Sequence, residues 1–227
     1  MTSLQSSVLA FGILCTCLMG CSGESYCGTH DWPGKPTATT RPAVSKEISL
    51  FDGKTLGHWK PTDYAGAGEV TVDKESIILP VGERLTGVTW TGDVPKLNYE
   101  ISFDAKRVDG TDFFAGLTFP VADSFASLII GGWGGTVCGL SNIDDEDAVH
   151  NSTRTFQSFD NDKWYHIRLR VTPTKIESWL DGVQIIDLMT AGKKLTLRLD
   201  IEESKPLGLA SFQCTAAIRN VRLLTLD

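Results

Sequence analysis

From Ile48 onward the chain alternates apolar and polar residues in short runs, which turn residues break roughly every 8 to 15 positions. In the run from Tyr99 to Lys106, Tyr99, Ile101, Phe103 and Ala105 share one face of an extended strand, and Glu100, Ser102, Asp104 and Lys106 share the other. The run from Trp164 to Val171 repeats the pattern, with Tyr165, Ile167, Leu169 and Val171 against Trp164, His166, Arg168 and Arg170. A period of two cannot present one apolar stripe on a helix, and no run of helical period competes with it. The pattern predicts an all-β sandwich of two antiparallel sheets, apolar faces together and polar faces outward. Strands are expected at 48–51, 69–81 (turning at Asp73-Lys74-Glu75), 87–92, 97–108, 113–121, 124–133 and 137–143. They continue at 152–159, 163–172, 175–181, 183–190, 206–214 and 216–226, with a hairpin turn at Asp181-Gly182 and one short helix or turn near Glu202 to Lys205.

The start of the chain is different. Val8 to Met19 is an apolar run of about 12 residues, too short to span a bilayer and right for the hydrophobic part of a signal peptide. Leu18-Met19-Gly20-Cys21 resembles a bacterial lipobox, although no Lys or Arg precedes the run. Residues 1–20 are therefore expected to be a lipoprotein signal peptide, with Cys21 the lipidated residue; an ordinary cleaved signal and a misassigned start are the alternatives. Residues 21–46, rich in Gly, Pro, Ser and Thr, read as a flexible tether, and 47–227 as the folded domain. The expected location is the bacterial cell envelope, on its periplasmic or surface side. A net charge of −7 argues against nucleic acid as the partner. A monomer is expected, joined to the membrane by lipid alone. Beyond Cys21 the cysteines are Cys27, Cys138 and Cys214; Cys138 and Cys214 either pair or stay as buried thiols.

Ile129 to Val137 reads IIGGWGGTV, four glycines around one tryptophan. Glycine inside a strand marks a bulge or a close approach to the backbone. The stretch is either a tight bend with a core tryptophan or a bare floor on which Trp133 offers a platform to a sugar ring.

The segment ISLFDGKTLGHWKP (48–61) resembles the opening signature of the bacterial 3-keto-disaccharide hydrolase domain family, long catalogued as a domain of unknown function. DKWYHIRLRVTPTKIESWLDGVQIID (162–187) and LGLASFQCTAAIRNVRLLTL (207–226) agree with later parts of that family in order and spacing. Segments 111–121 and 124–150 depart from its usual middle strands. The resemblance implies a concanavalin A- or laminin-G-like jelly roll and activity on glycosides oxidised at C3.

A carbonyl at C3 acidifies the hydrogen at C2, so a carboxylate or histidine can remove it, the aglycone leaves, and water adds back. Cationic donors or a metal would stabilise the enolate; a direct hydrolase would instead need a carboxylate pair. The candidate catalytic residues are Asp104, Glu100, His166 and Asp112, with His150 as a further base. Trp133, Arg168, Phe114 and Trp90 are the candidate substrate-binding residues, with Phe113, Arg170 and Lys106 beside them. The plain alternative is that Glu100, Asp104, His166, Arg168 and Arg170 pair with one another across strands. No cofactor is expected; Asp144, Asp145 and Asp147 in the acidic loop are candidates for a Ca2+ site, although the loop lacks the alternating pattern of a calcium loop. Two functions stand: a hydrolase of 3-keto-glycosides at the envelope, and a carbohydrate-binding or adhesion module without turnover. The enzyme reading requires Trp133 to share a pocket with two carboxylates, or with one carboxylate and His166.

Overall fold

The computed structural model describes residues 44–227; the signal segment, Cys21 and the tether up to residue 43 lie outside the described residues. The first strands are β1 (Val44–Ser49), β2 (Trp59–Pro61), β3 (Thr71–Asp73), β4 (Ser76–Leu79), β5 (Leu85–Trp90), β6 (Tyr99–Gly110), β7 (Ala115–Val121) and β8 (Ser124–Gly132). Then come β9 (Val137–Ser141), β10 (Thr155–Phe156), β11 (Tyr165–Val171), β12 (Lys175–Leu180) and β13 (Val183–Met189). A 3-10 helix, η1 (Leu199–Ser204), precedes β14 (Gly208–Phe212) and β15 (Cys214–Leu226). The strand pairs are antiparallel, and they form two sheets. The first runs β13-β12-β11-β6-β15-β4-β3, with β1 also on β15; the second runs β10-β9-β8-β7-β14-β5-β2.

The expected alternation holds. Tyr99, Ile101, Phe103 and Ala105 of β6 and Tyr165, Ile167, Leu169 and Val171 of β11 point inward. They share one buried cluster with Leu117 and Phe119 of β7, Leu128 and Ile130 of β8 and Leu140 of β9. The hydroxyl of Tyr99 crosses the core and donates to the Pro120 carbonyl at 2.5 Å, so a polar tip is satisfied inside the apolar layer. Burial pushes that phenol well above its ordinary pKa, which keeps it a donor.

The residues of the opening signature have structural roles. Asp52 accepts the backbone N–H groups of Lys54 and Thr55, each at 2.8 Å, and these bonds hold its carboxyl below the usual value. Trp59 is 2% exposed and donates through Nε1 to the Leu50 carbonyl at 2.9 Å. The expected strand at 152–159 shrinks to the two residues of β10 because polar side chains claim its start. Asn151 Nδ2 donates to the carbonyls of Leu140, Glu146 and Asp147, while its Oδ1 accepts from the backbone and hydroxyl of Thr153. That bonding pulls the chain into a loop folded over β9.

Candidate functional site

The outer face of the second sheet is built from small residues. Register sets Gly87 of β5, Ala210 of β14, Gly116 of β7, Ile129 of β8 and Gly139 of β9 in one row across five strands. The next row is Thr89, Gly208, Thr118, Ser127 and Ser141. Loops use this thin floor to pack closely. A Cβ at Gly116 would come within 2.9 Å of the Phe113 ring, and one at Gly139 within 3.1 Å of Ala148. Between these covering segments a pocket of about 180 Å³ stays open. Phe113 and Phe212, stacked at 5.7 Å between centroids, line it with Leu85, Ile201, Ile129 and Ser141.

Two polar groups complete the lining. Asp200 in η1 accepts from Arg84 Nη2 at 3.3 Å and from Arg198 Nε at 3.2 Å, so two guanidinium groups and one carboxylate form a compact set. The other group is Asp112 with Trp133. Trp133 stands in the turn between β8 and β9, and from the bulge at the end of β8 into that turn Gly131, Trp133, Gly134 and Gly135 have φ of 76°, 51°, 83° and 104°. That series is glycine geometry, and Trp133 alone carries a side chain through it. A bulky residue at positive φ is a backbone outlier that costs on the order of 1–3 kcal/mol, and such residues concentrate at ligand sites. Asp112 pins the turn: its Oδ2 accepts Gly134 N–H at 3.0 Å and its Oδ1 accepts Phe113 N–H at 2.8 Å. The glycines are thus both a bend and a setting, and the indole they carry is 39% exposed.

Residues 46–224 match the family described as the 3-keto-alpha-glucoside-1,2-lyase-like domain. The chain belongs to this family. Comparison with curated proteins gives no match. Solved structures share the fold at low identity. Domain 4 of AbnA, a GH43 extracellular arabinanase from Geobacillus stearothermophilus solved in complex with arabinotriose, is 15% identical with a TM-score of 0.51, over 82% of this chain and 93% of that one. A protein of unknown function with a galectin-like fold from Bacillus subtilis is 12% identical with a TM-score of 0.53, over 81% and 96%. The apo Crh5 transglycosylase is 12% identical with a TM-score of 0.56, over 82% and 85%. The lyase-like domain is therefore a jelly-roll sandwich of the galectin and concanavalin kind.

Of the residues singled out in the sequence, the lyase-like domain brings Trp133, Asp112 and Phe113 into the pocket. Phe114 and Trp90, expected to flank the indole, are core residues instead. Phe114 is 0% exposed with its ring 5.1 Å from Phe159, and Trp90 is 8% exposed and 5.3 Å from Trp59. Of the adjacent pair 113–114, one ring turns out to the pocket and the other in to the core.

Glu100, Asp104, His166 and Arg168 lie on the outer face of the first sheet, with the whole core between them and Trp133. There they bind each other. Glu100, with a side chain 2% exposed, accepts from Arg168 Nη1 at 3.0 Å and Arg170 Nε at 2.9 Å. Arg168 also lies 3.6 Å from the centroid of Trp179. Asp104 meets His166 Nδ1 and Asn220 Nδ2, each at 2.8 Å, and Arg219 Nε at 3.4 Å. Burial works to raise the Asp104 pKa, but the bonds from His166 and Asn220 and the charges of His166 and Arg219 outweigh it and hold the carboxyl below its ordinary value. Lys106 is paired with Asp162 at 2.9 Å.

The acidic loop is likewise engaged. Asp144 accepts from Lys193 Nζ at 2.7 Å, Asp145 from Lys194 Nζ at 2.7 Å, and Asp147 faces His150 Nδ1 at 2.6 Å. Among the described residues, no group of three or more His, Cys, Asp or Glu is placed to hold a metal ion. Cys138 and Cys214 are free and buried, and burial pushes their thiols up to about 11 and about 12, far from the thiolate form at neutral pH.

Arg84, Arg198, Asp200 and Phe212 were not singled out by the sequence reading. Phe212 had a signal, since it alternates in phase with Gly208 and Ala210 on β14. The other three had none, because only the fold carries η1 to the start of β5.

Proposed function

We propose that the Trp133 pocket binds the oxidised ring of a 3-keto-glucoside and that the protein cleaves its glycosidic bond by 1,2-elimination. The observation that carries this reading is the meeting of an exposed indole, two carboxylates and two guanidinium groups in one pocket. The indole takes the flat face of the sugar. Asp112, held in place by two backbone N–H groups, accepts the proton from C2. The electron pair of that C–H bond becomes the C2–C3 double bond of an enolate whose negative oxygen lies at C3. Arg84 and Arg198 supply the positive charge that the enolate oxygen requires. Collapse of the enolate restores the carbonyl, forms the C1–C2 double bond and breaks the bond from C1 to the aglycone oxygen, which leaves with a proton as an alcohol. Water added later across that double bond would give the net result of hydrolysis. Family membership and the arabinotriose bound by a similarly folded domain support a carbohydrate ligand.

A second reading, carbohydrate binding without turnover, is favoured by one observation: both pocket carboxylates already have partners, Asp112 in the backbone and Asp200 in the two arginines. Incubating the purified protein with a 3-keto-glucoside and with its unoxidised parent, with and without a chelator, separates the two. Release of aglycone from the keto sugar supports elimination. Binding without release from either sugar leaves the binding module, and release from the unoxidised parent at equal rate overturns the role given to the C3 carbonyl. The reading also includes export and a lipid on Cys21. Mass spectrometry of the mature N-terminus tests that, and an unmodified Cys21 would reject it.

A further inference from the structure

Among the described residues two Phe, Tyr or Trp rings are exposed, Trp133 at 39% and Phe156 at 66%, and both stand at one corner of the second sheet. Gly132, the residue before Trp133, lies opposite Val137 of β9, and Val137 lies opposite Phe156 of β10. Directly opposed residues in antiparallel strands project from the same face. Val137 is packed with Ile129 and Ala148 on the outer side, so Phe156 rises from the face that holds the pocket. Adjacent strands are about 4.8 Å apart, which puts the Phe156 backbone about 10 Å from that of Gly132. Gln157 N–H donates to the Thr136 carbonyl at 2.9 Å and ties β10 to the Trp133 turn.

Phe156 is also held in place. The Arg154 guanidinium lies 5.4 Å from its ring centroid, and Arg154 Nη1 donates to the Val149 carbonyl at 2.7 Å. Leaving a phenylalanine ring in water forfeits the free energy that burying it would gain. A cation anchored beside that ring covers part of it and gives it a fixed posture, with most of its surface free.

We infer that Phe156, steadied by Arg154, is the subsite for the aglycone. The ring seated at Trp133 is the oxidised sugar, and the group joined to it through the glycosidic oxygen lies on Phe156, so the preferred substrates carry a second sugar or an aryl group there. This inference rests on the pocket reading above.

The test compares methyl 3-keto-glucoside with 4-nitrophenyl 3-keto-glucoside, for wild type, Phe156→Ala and Phe156→Trp. Phe156→Ala is expected to lower kcat/KM about tenfold on the nitrophenyl substrate, mainly through KM, and to leave the methyl substrate within about twofold. Phe156→Trp is expected to restore the nitrophenyl preference. Equal losses on both substrates, or no loss on either, overturn the subsite. If wild type binds both compounds without turning them over, the same comparison is read on Kd. If wild type binds neither, the pocket reading itself fails and the subsite falls with it, an outcome distinct from failure of Phe156 alone.

Discussion

The two outer faces of the sandwich carry opposite kinds of surface. On the first sheet, Glu100, Asp104, His166, Arg168, Arg170 and Arg219 include nearly every residue type a hydrolytic site calls for, and they are spent on each other across β6, β11 and β15. On the second sheet the rows are Gly, Ala, Ser and Thr apart from Ile129, and the pocket exists because loops meet over them without closing. Chemically rich side chains mark a stable face when each has a partner within 3 Å or so, whereas a site needs room beside a few groups that remain addressable. The short rows provide that room.

Substitutions on each face can break or sharpen this contrast. The largest expected effect is on chemistry: Asp112→Asn should lower turnover of a 3-keto-glucoside by about 10²–10⁴-fold, and because the amide keeps only one of the two oxygens that accept backbone N–H groups it should also cost about 1 kcal/mol in stability. Asp104→Asn and His166→Ala, on the other face, should keep turnover within about twofold; if either abolishes it, the site has been placed on the wrong sheet. Next comes stability. Glu100→Gln removes the charge between Arg168 and Arg170 at a nearly enclosed position and should cost about 3 kcal/mol in urea unfolding, with ligand affinity unchanged.

A smaller effect should run in opposite directions for binding and stability. Trp133→Gly puts the favoured residue at φ 51° and should raise stability by up to about 1 kcal/mol, while sugar affinity falls about tenfold in a titration, or about 1.4 kcal/mol. A loss of stability would mean that the indole is part of the packing. The smallest effect concerns acid. The folded-state pKa of Asp104 lies below its ordinary value, so its ion pairs add stability above about pH 4 and that contribution disappears as pH falls through the lowered value. Asp104→Asn should therefore be less stable than wild type at pH 7, and the gap should narrow as the pH falls below about 4 and through the lowered value, when both are unfolded in urea.

Much of this contrast could be read from the chain before folding. The turn at Asp73 to Glu75 and the Asp181-Gly182 hairpin fall where expected, and Lys74, Glu75 and Asp181 adopt positive φ there. The polar set of β6 and β11 was visible, and so was cross-strand pairing as its plain outcome. Trp133 stood out because glycines surround it. Asp112 was one acid among many until Gly134 was found bonded to it.

Sequence by itself determined that this protein is made of strands, which residues of each strand share a face, and that one tryptophan stands among four glycines. These follow from local sterics and a period of two, which need no knowledge of neighbours. Only the tertiary structure decided which strands lie side by side and which outer face the loops leave open. Asp104 meets an Asn220 that is 116 positions away, and Arg84 meets an Asp200 that is likewise 116 positions away. Contacts at such separations depend on the packing of the entire core, and no local pattern encodes them.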